Sequence, residues 1–424
     1  MTSYPAVFRV RQRFLRVRVD DVAAEVHHQL AALALDQRIH PGQTVAITVG
    51  SRGIANIDRI VQAAVAFLHR LGASPFLVPA MGSHGAATAE GQRKIIEGYG
   101  ITESYCGCPI RSSMETVVVG RADEGFPIHV DGHALRADHV LLCNRIKPHT
   151  QFDGSIQSGL VKMLLVGLGK HAGAKTYHAA FQDHGFDRIV RGVGRRLFNE
   201  CHVVGGLAIV ENAYDETARI VGVRPERIFE REAELLQLAE QWMARLPFAK
   251  VDILVLDEIG KNISGAGMDT NVVGRKQHAD LPASDRLVQV KRIVARSLTA
   301  ESHGNATGIG LADFCTRRLA QQVDRHSTWI NGVTAGHLDA VKLPPEFATD
   351  REILAAALTT IGLTAPHEAR LLWVRNTLVL DEVECSAAYL AEACARDDLE
   401  VLTGARALPF DAAGDLPPSM ARLT

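Results

Sequence analysis

The sequence has no apolar run near the roughly 18 residues that a membrane-spanning helix requires, which excludes a helical integral membrane protein. It also lacks an excess of charge of either sign. A formal net charge of -2 leaves no overall basic field for nucleic acid or anionic lipid, so a small molecule is the expected partner. Cysteine is sparse: seven residues, an odd number, run from Cys106 to Cys394, and only Cys106-Gly-Cys108 is close-spaced. That excludes a disulfide framework and fits a reducing compartment. Arginines at 9, 11, 13, 16 and 18 suggest a transit peptide, but the apolar core of a secretion signal is missing. The alternation Phe8-Arg9-Val10-Arg11 has instead the period of a strand with one wet face. A cytoplasmic protein is expected. There is no internal repeat and no long low-complexity tract.

What is present is an ordinary globular balance, 47% hydrophobic and 22% charged, in a chain of 424 residues that is too long for one core. Two α/β domains with largely parallel sheets are expected, residues 1–248 and 249–424, with the active site in the crevice between them. Short apolar runs alternate with helical patterns. Strands are expected at residues 44–49, 75–78, 139–143 and 207–210, with a β excursion at 116–119 and 128–130. Helices are expected at 57–71, at 92–99 and from about 158, and a long amphipathic connector at 226–246. The second domain should carry strands at 251–256, 288–294 and 371–374 and helices near 311–323 and 351–361. Residues 409–424, rich in proline, alanine and aspartate, read as a flexible tail.

Ligands of open parallel sheets bind at the carboxyl ends of strands. Three strands there run into Gly50-Ser51-Arg52-Gly53, Gly82-Ser83-His84-Gly85 and Asn144-Arg145-Ile146-Lys147-Pro148-His149. Eight of the eighteen histidines fall between His84 and His184, which marks this region for acid/base or metal chemistry. Arg52 suits bidentate binding of a carboxylate, although loop arginines are commonly only solvated. His84 sits between glycines, where the backbone can approach a ligand closely, or it is satisfied by local backbone. Residues 158–162, Ser-Gly-Leu-Val-Lys, offer a hydroxyl, free amides at a helix start and a lysine within one turn, a plausible phosphate cradle without Walker A spacing. In one continuous helix Lys162 and His178 would be about 24 Å apart, so Gly167, Gly169 and Gly173 are expected to break it and let them converge.

Over residues 44–275 these motifs resemble the nickel-pincer lactate racemases and their hydroxyacid racemase and epimerase relatives. The most specific stretch is Asn144 to His149, then Phe152-Asp153-Gly154, then Ser158-Gly159-Leu160-Val161-Lys162, with His178 beyond. The resemblance implies that His84 and His149 are the two catalytic histidines and that Arg52 binds substrate. It implies that Lys162 can tether the cofactor, that Ser158 and Gly159 hold its phosphate and that His178 ligates nickel. The implied cofactor is the nickel-pincer nucleotide, nickel pyridinium-3,5-bisthiocarboxylic acid mononucleotide, and the implied partners are a small hydroxy acid and the pincer-biosynthesis enzymes. The implied reaction is racemisation or epimerisation of a 2-hydroxy acid by hydride transfer to and from that cofactor, with the two histidines as acid and base. Homo-oligomers are compatible with it.

The sequence also departs from the family. About three extra residues separate His149 from Lys162, and Val49 replaces an acidic residue near Arg52. The second-domain loop, from Lys261 through Asn271 to Arg275, lacks the tyrosine, glutamine and lysine of the lactate enzyme. Lys261 and Arg275 are the substrate-binding candidates there, and the substrate need not be lactate. Two other readings compete: a zinc-dependent hydrolase using His84, His149 and His178, and a non-catalytic nucleotide- or metal-binding carrier or sensor of the same family.

Overall fold

The computed structural model describes residues 4–276 and 288–419, and the last five residues of the expected tail lie outside them. The chain divides into two compact units, Leu15–Met243 and a second made of Met1–Phe14 with Ala244–Thr424. No described helix is long and apolar enough to cross a membrane.

Strand β1 (Val7–Gln12) opens the chain yet belongs to the sheet of the later unit, pairing antiparallel with β14 (Glu382–Ser386) and β15 (Leu399–Val401). Residues 1–14, expected in the first domain, therefore go with the second. The alternation read from the sequence explains why. Val7, Phe8 and Val10 are buried, while Arg9 and Arg11 meet Glu384 and Glu382 across the strand pair.

In the unit Leu15–Met243, strands β2 (Thr44–Val49), β3 (Ser74–Pro79), β6 (His139–Arg145), β7 (Val203–Glu211) and β8 (Thr217–Val223) form one sheet in the order β3-β2-β6-β7-β8. All neighbours are parallel except β7 and β8. β2 reads Thr-Val-Ala-Ile-Thr-Val with five of its six residues buried, the near-continuous apolar run of a strand covered on both faces. The Ile57–Arg70 helix covers it with a face of Ile57, Ile60, Val61, Ala64 and Leu68. The β excursion is a separate antiparallel pair, β4 (Thr116–Arg121) and β5 (Pro127–Asp131).

The other unit holds strands β9 (Lys250–Leu256), β10 (Gln289–Ala295), β11 (Phe314–Thr316), β12 (Glu346–Phe347) and β13 (Leu371–Val374). Its sheet runs β12-β11-β10-β9-β13-β14-β1-β15, parallel as far as β13 and antiparallel beyond. The helix expected near 311–323 is in fact the short strand β11 followed by the Arg317–Gln322 helix, because Cys315 pairs with residues of both neighbouring strands. The tail up to Ser419 is packed rather than flexible. Leu416 and Ser419 are buried, the Ser419 N–H donates to Asp257 Oδ2 at 2.6 Å, and the Leu416 carbonyl accepts from Arg296. Arg296 is itself buried between Asp257 and Asp350, so the tail helps to cover a largely buried ion network.

Candidate active site at the strand ends of the first unit

β2 ends in the turn that carries Ser51 and Arg52, and β3 ends in the turn that carries His84. The two turns are joined by a hydrogen bond between Ser51 Oγ and His84 Nδ1. The Tyr99 hydroxyl donates to the Ser51 carbonyl at 2.6 Å and fixes the first turn. Gln92 fixes the second, its Nε2 donating to the Gly82 carbonyl at 2.8 Å and to that of His84 at 3.3 Å. Behind Gln92 lies Lys170, wholly buried, whose Nζ donates to Gln92 Oε1 at 3.1 Å and to the Pro79 carbonyl and pairs with Asp131 at 3.3 Å.

β6 ends in the loop to His149. The His149 amide donates to Gln157 Oε1 at 2.7 Å, and its ring Nδ1 accepts from the amides of Gln151 at 3.1 Å and Phe152 at 3.2 Å. Phe152 is the hub of the site. Its buried ring stacks on His149 with centroids 4.5 Å apart, lies 6.0 Å from the ring of His178 and has Lys162 Nζ 5.3 Å from its centre. Phe181 and Phe186 support it from behind, at 5.3 and 4.3 Å. His178 presents an exposed imidazole on the Lys170–His184 helix.

The chain breaks between Lys162 and His178, as expected, through a π-helical turn at Met163–Gly167. The residue that turns it, however, is Lys170, at a φ of 53° that L side chains seldom adopt, rather than one of the glycines. Its buried ion pair holds it there.

Lys162 is partly accessible at its surface yet enclosed by protein, and it meets no carboxylate among the described residues. Desolvation, with the Arg52 guanidinium adding to it, pulls its ammonium pKa down to about 7. Arg52 is exposed, with Tyr99 and Arg145 nearby, and Arg145 is itself paired with Glu211. The floor of the site is thus electropositive and suited to an anion.

The helix start at residues 158–162 does not offer the free amides expected of it. Glu232, on the Ile228–Trp242 helix and 1% exposed, accepts from the Val161 amide at 3.0 Å and from the Leu160 amide. A Cβ at position 159 would lie 2.4 Å from Glu232 Oε1, so Gly159 is required by this close approach rather than by a phosphate. Ser158 lies beside it in a bridge to Lys147. Burial pushes the Glu232 carboxyl up to about 7, and Oε1 has no partner among the described residues. A folded-state pKa above the unfolded 4.5 means that stability is full below 4.5 and is lost as pH rises through 7, by about 3 kcal/mol for a shift of this size. Glu232→Gln is expected to flatten that dependence and to exceed the wild type at pH 8. Denaturant melts across this range should show it; identical pH profiles would contradict the assignment.

Arg52, His84, His149, Lys162 and His178 are therefore brought together within one unit. Lys261 and Arg275 belong to the other. Lys261 Nζ donates to the Gly265 carbonyl at 2.9 Å. Arg275 pairs with Asp313 at 2.7 Å and donates to the carbonyls of Leu311 and Lys291. No group of three or more histidine, cysteine, aspartate or glutamate side chains among the described residues is arranged to hold a metal ion. Ser51, Phe152, Gln92, Lys170 and Glu232 were not picked out from the sequence as site residues. Glu232 left a signal there, a charged residue in register with the buried Ile228, Leu235, Leu236 and Ala239 of its helix.

No curated protein sequence matches the chain. A solved structure, the lactate racemase apoprotein from Thermoanaerobacterium thermosaccharolyticum, is similar at 13% identity and a TM-score of 0.48, over 92% of each chain. The lactate racemase N-terminal domain family matches residues 15–187, which span every one of the five clustered residues. Over those residues the chain is similar to the lactate racemase N-terminal domain.

Proposed function

We propose that the protein is a nickel-pincer-dependent racemase or epimerase of a 2-hydroxy acid, not necessarily lactate. The observation that carries this reading is the gathering of His149, Lys162 and His178 around Phe152, with Arg52 beside the lysine. The C2 hydrogen of a 2-hydroxy acid is scarcely acidic next to a carboxylate, so an acid/base pair alone is a poor racemase. The nickel-pincer nucleotide, when bound, supplies a hydride acceptor for that hydrogen.

The residues fit such a group in two places. Lys162, with a pKa of about 7, keeps a neutral amine available for a covalent tether at physiological pH. His178 offers an exposed imidazole nitrogen, a ligand type suited to nickel, and the remaining donors would come from outside the protein. The fit is poorer at the helix start, where Glu232 takes two amides. There Ser158 would offer its hydroxyl to the phosphate, while Gly159 is taken up by Glu232. Arg52 would bind the substrate carboxylate through its fork of donors. His84 and His149 would serve the substrate's C2 oxygen.

Full chain co-expressed with pincer-biosynthesis enzymes is expected to hold close to one nickel per chain, and His178→Ala to lose it. Equal nickel content in both would remove His178 from the site. A non-catalytic carrier of the same family is the second reading, favoured by the occupied helix amides, and racemisation of any enantiopure 2-hydroxy acid excludes it. The zinc hydrolase reading has no support in the arrangement of the three histidines.

A further inference from the structure

We infer that Lys170 is a positioning residue for the reaction: from inside the core it holds, through Gln92, the turn that carries His84. The inference rests on the racemase reading and deepens it.

Lys170 has no exposed surface, and lysine is seldom taken so deep unless its charge is paired. Its ammonium joins three segments that are separate in the chain: the Pro79 carbonyl at the end of β3, Gln92 Oε1 at 3.1 Å, and Asp131 at the end of β5, 3.3 Å away. The backbone is strained to bring it there, since a φ of 53° persists for lysine only where the surroundings over-determine it. The same ammonium settles which way the Gln92 amide faces. It can only donate, so Oε1 must turn toward it, and Nε2 is thereby aimed at the Gly82 and His84 carbonyls. Without Lys170 that choice is lost, and a flipped amide would set its oxygen against two carbonyl oxygens.

The turn is packed closely on the helix that bears Gln92. At Gly85, where φ is 66°, a Cβ would lie 2.6 Å from the Gln92 backbone nitrogen, and Thr88 Oγ1 accepts from the Gly91 amide at 3.0 Å. The backbone of His84 therefore follows Gln92, and Gln92 follows Lys170. The His149 loop is held by a different set of contacts, those to Gln157 and to the amides of Gln151 and Phe152. With each histidine the base for one enantiomer, a clamp that acts through the His84 turn governs the reaction of one enantiomer and spares the other. A lysine that merely stabilised the fold would affect both alike.

The test uses the full chain, loaded with nickel, in two forms. Gln92→Leu leaves Lys170 paired with Asp131, and Lys170→Met is combined with Asp131→Asn so that no buried charge is left unpaired. A reacting group displaced by about 1 Å can lose about 10²-fold in rate, so both forms should lose about that factor in single-turnover formation of the 2-keto acid from the enantiomer that His84→Gln also loses. With the other enantiomer they should keep the wild-type rate. All three substitutions together should be no slower than the slower parent, because Lys170 acts through Gln92. Hydrogen exchange read by mass spectrometry should quicken in residues 82–88 of both forms and stay level in β7. An equal loss with both enantiomers, or unchanged exchange at residues 82–88, overturns the proposal. If the wild type turns over no 2-hydroxy acid, the racemase reading fails, while exchange at residues 82–88 still decides whether Lys170 and Gln92 hold the turn.

Discussion

At pH 7, Lys162 is expected to react with a brief pulse of acylating reagent ahead of the exposed lysines Lys94 and Lys342. The cause is desolvation in a site that holds a second cation, Arg52. With a pKa of about 7, half of its amine is neutral at that pH, about 10³-fold more than for a lysine at the ordinary 10.5. The sign for stability follows from the same shift. A lysine whose folded pKa is depressed contributes most above the unfolded value of 10.5, and that contribution is lost as pH falls toward 7. Lys162→Met should therefore stabilise the folded chain near neutral pH while removing the tether. Peptide mapping after acylation at a series of pH values gives the midpoint. A midpoint near 10, or labelling no faster than at Lys94, would show that the amine is solvated and poorly suited to a covalent bond at physiological pH.

The second large effect concerns His84. A positioned general base usually contributes about 10² to 10⁴-fold, and His84→Gln is expected to lose that factor in single-turnover formation of the 2-keto acid from one pure enantiomer. The other enantiomer should be spared, and His149→Gln should show the mirror-image pattern, because each of two histidines is the base for one enantiomer. A single base serving both predicts instead an equal loss with each enantiomer in His84→Gln. Rapid quench with each enantiomer, using protein whose nickel content matches the wild type, separates the two arrangements.

Much of this was legible in the sequence because it depends on local pattern. The strand at residues 44–49 and that at 371–374 fall where alternation and apolar run place them, since buried parallel strands need apolar residues on both faces. The strand-end turns bearing Arg52, His84 and His149 were visible for the same reason. What was not legible depends on partners distant in the chain. The arginines of residues 7–12 announce a strand but not their counter-charges, Glu382 and Glu384, roughly 370 residues on. The three-residue strand β11 is too short to outweigh the helical pattern around it. The turn at Lys170 defied the glycine expectation because a buried ion pair, rather than backbone freedom, holds its strained φ. Glu232 filled the presumed phosphate cradle from another helix, and no spacing rule within residues 158–162 could reveal it.

The measurement that bears most directly on the proposed activity follows hydrogen at C2. Enantiopure 2-hydroxy acids deuterated at C2 are incubated with nickel-loaded protein in ordinary water, and both configuration and label are read by chiral chromatography and mass spectrometry. Hydride chemistry predicts that a substrate is racemised, more slowly than its protiated form, with the deuterium retained, because a hydride does not exchange with water. Racemisation with complete loss of deuterium to solvent would contradict the account and assign the protein to conventional proton abstraction.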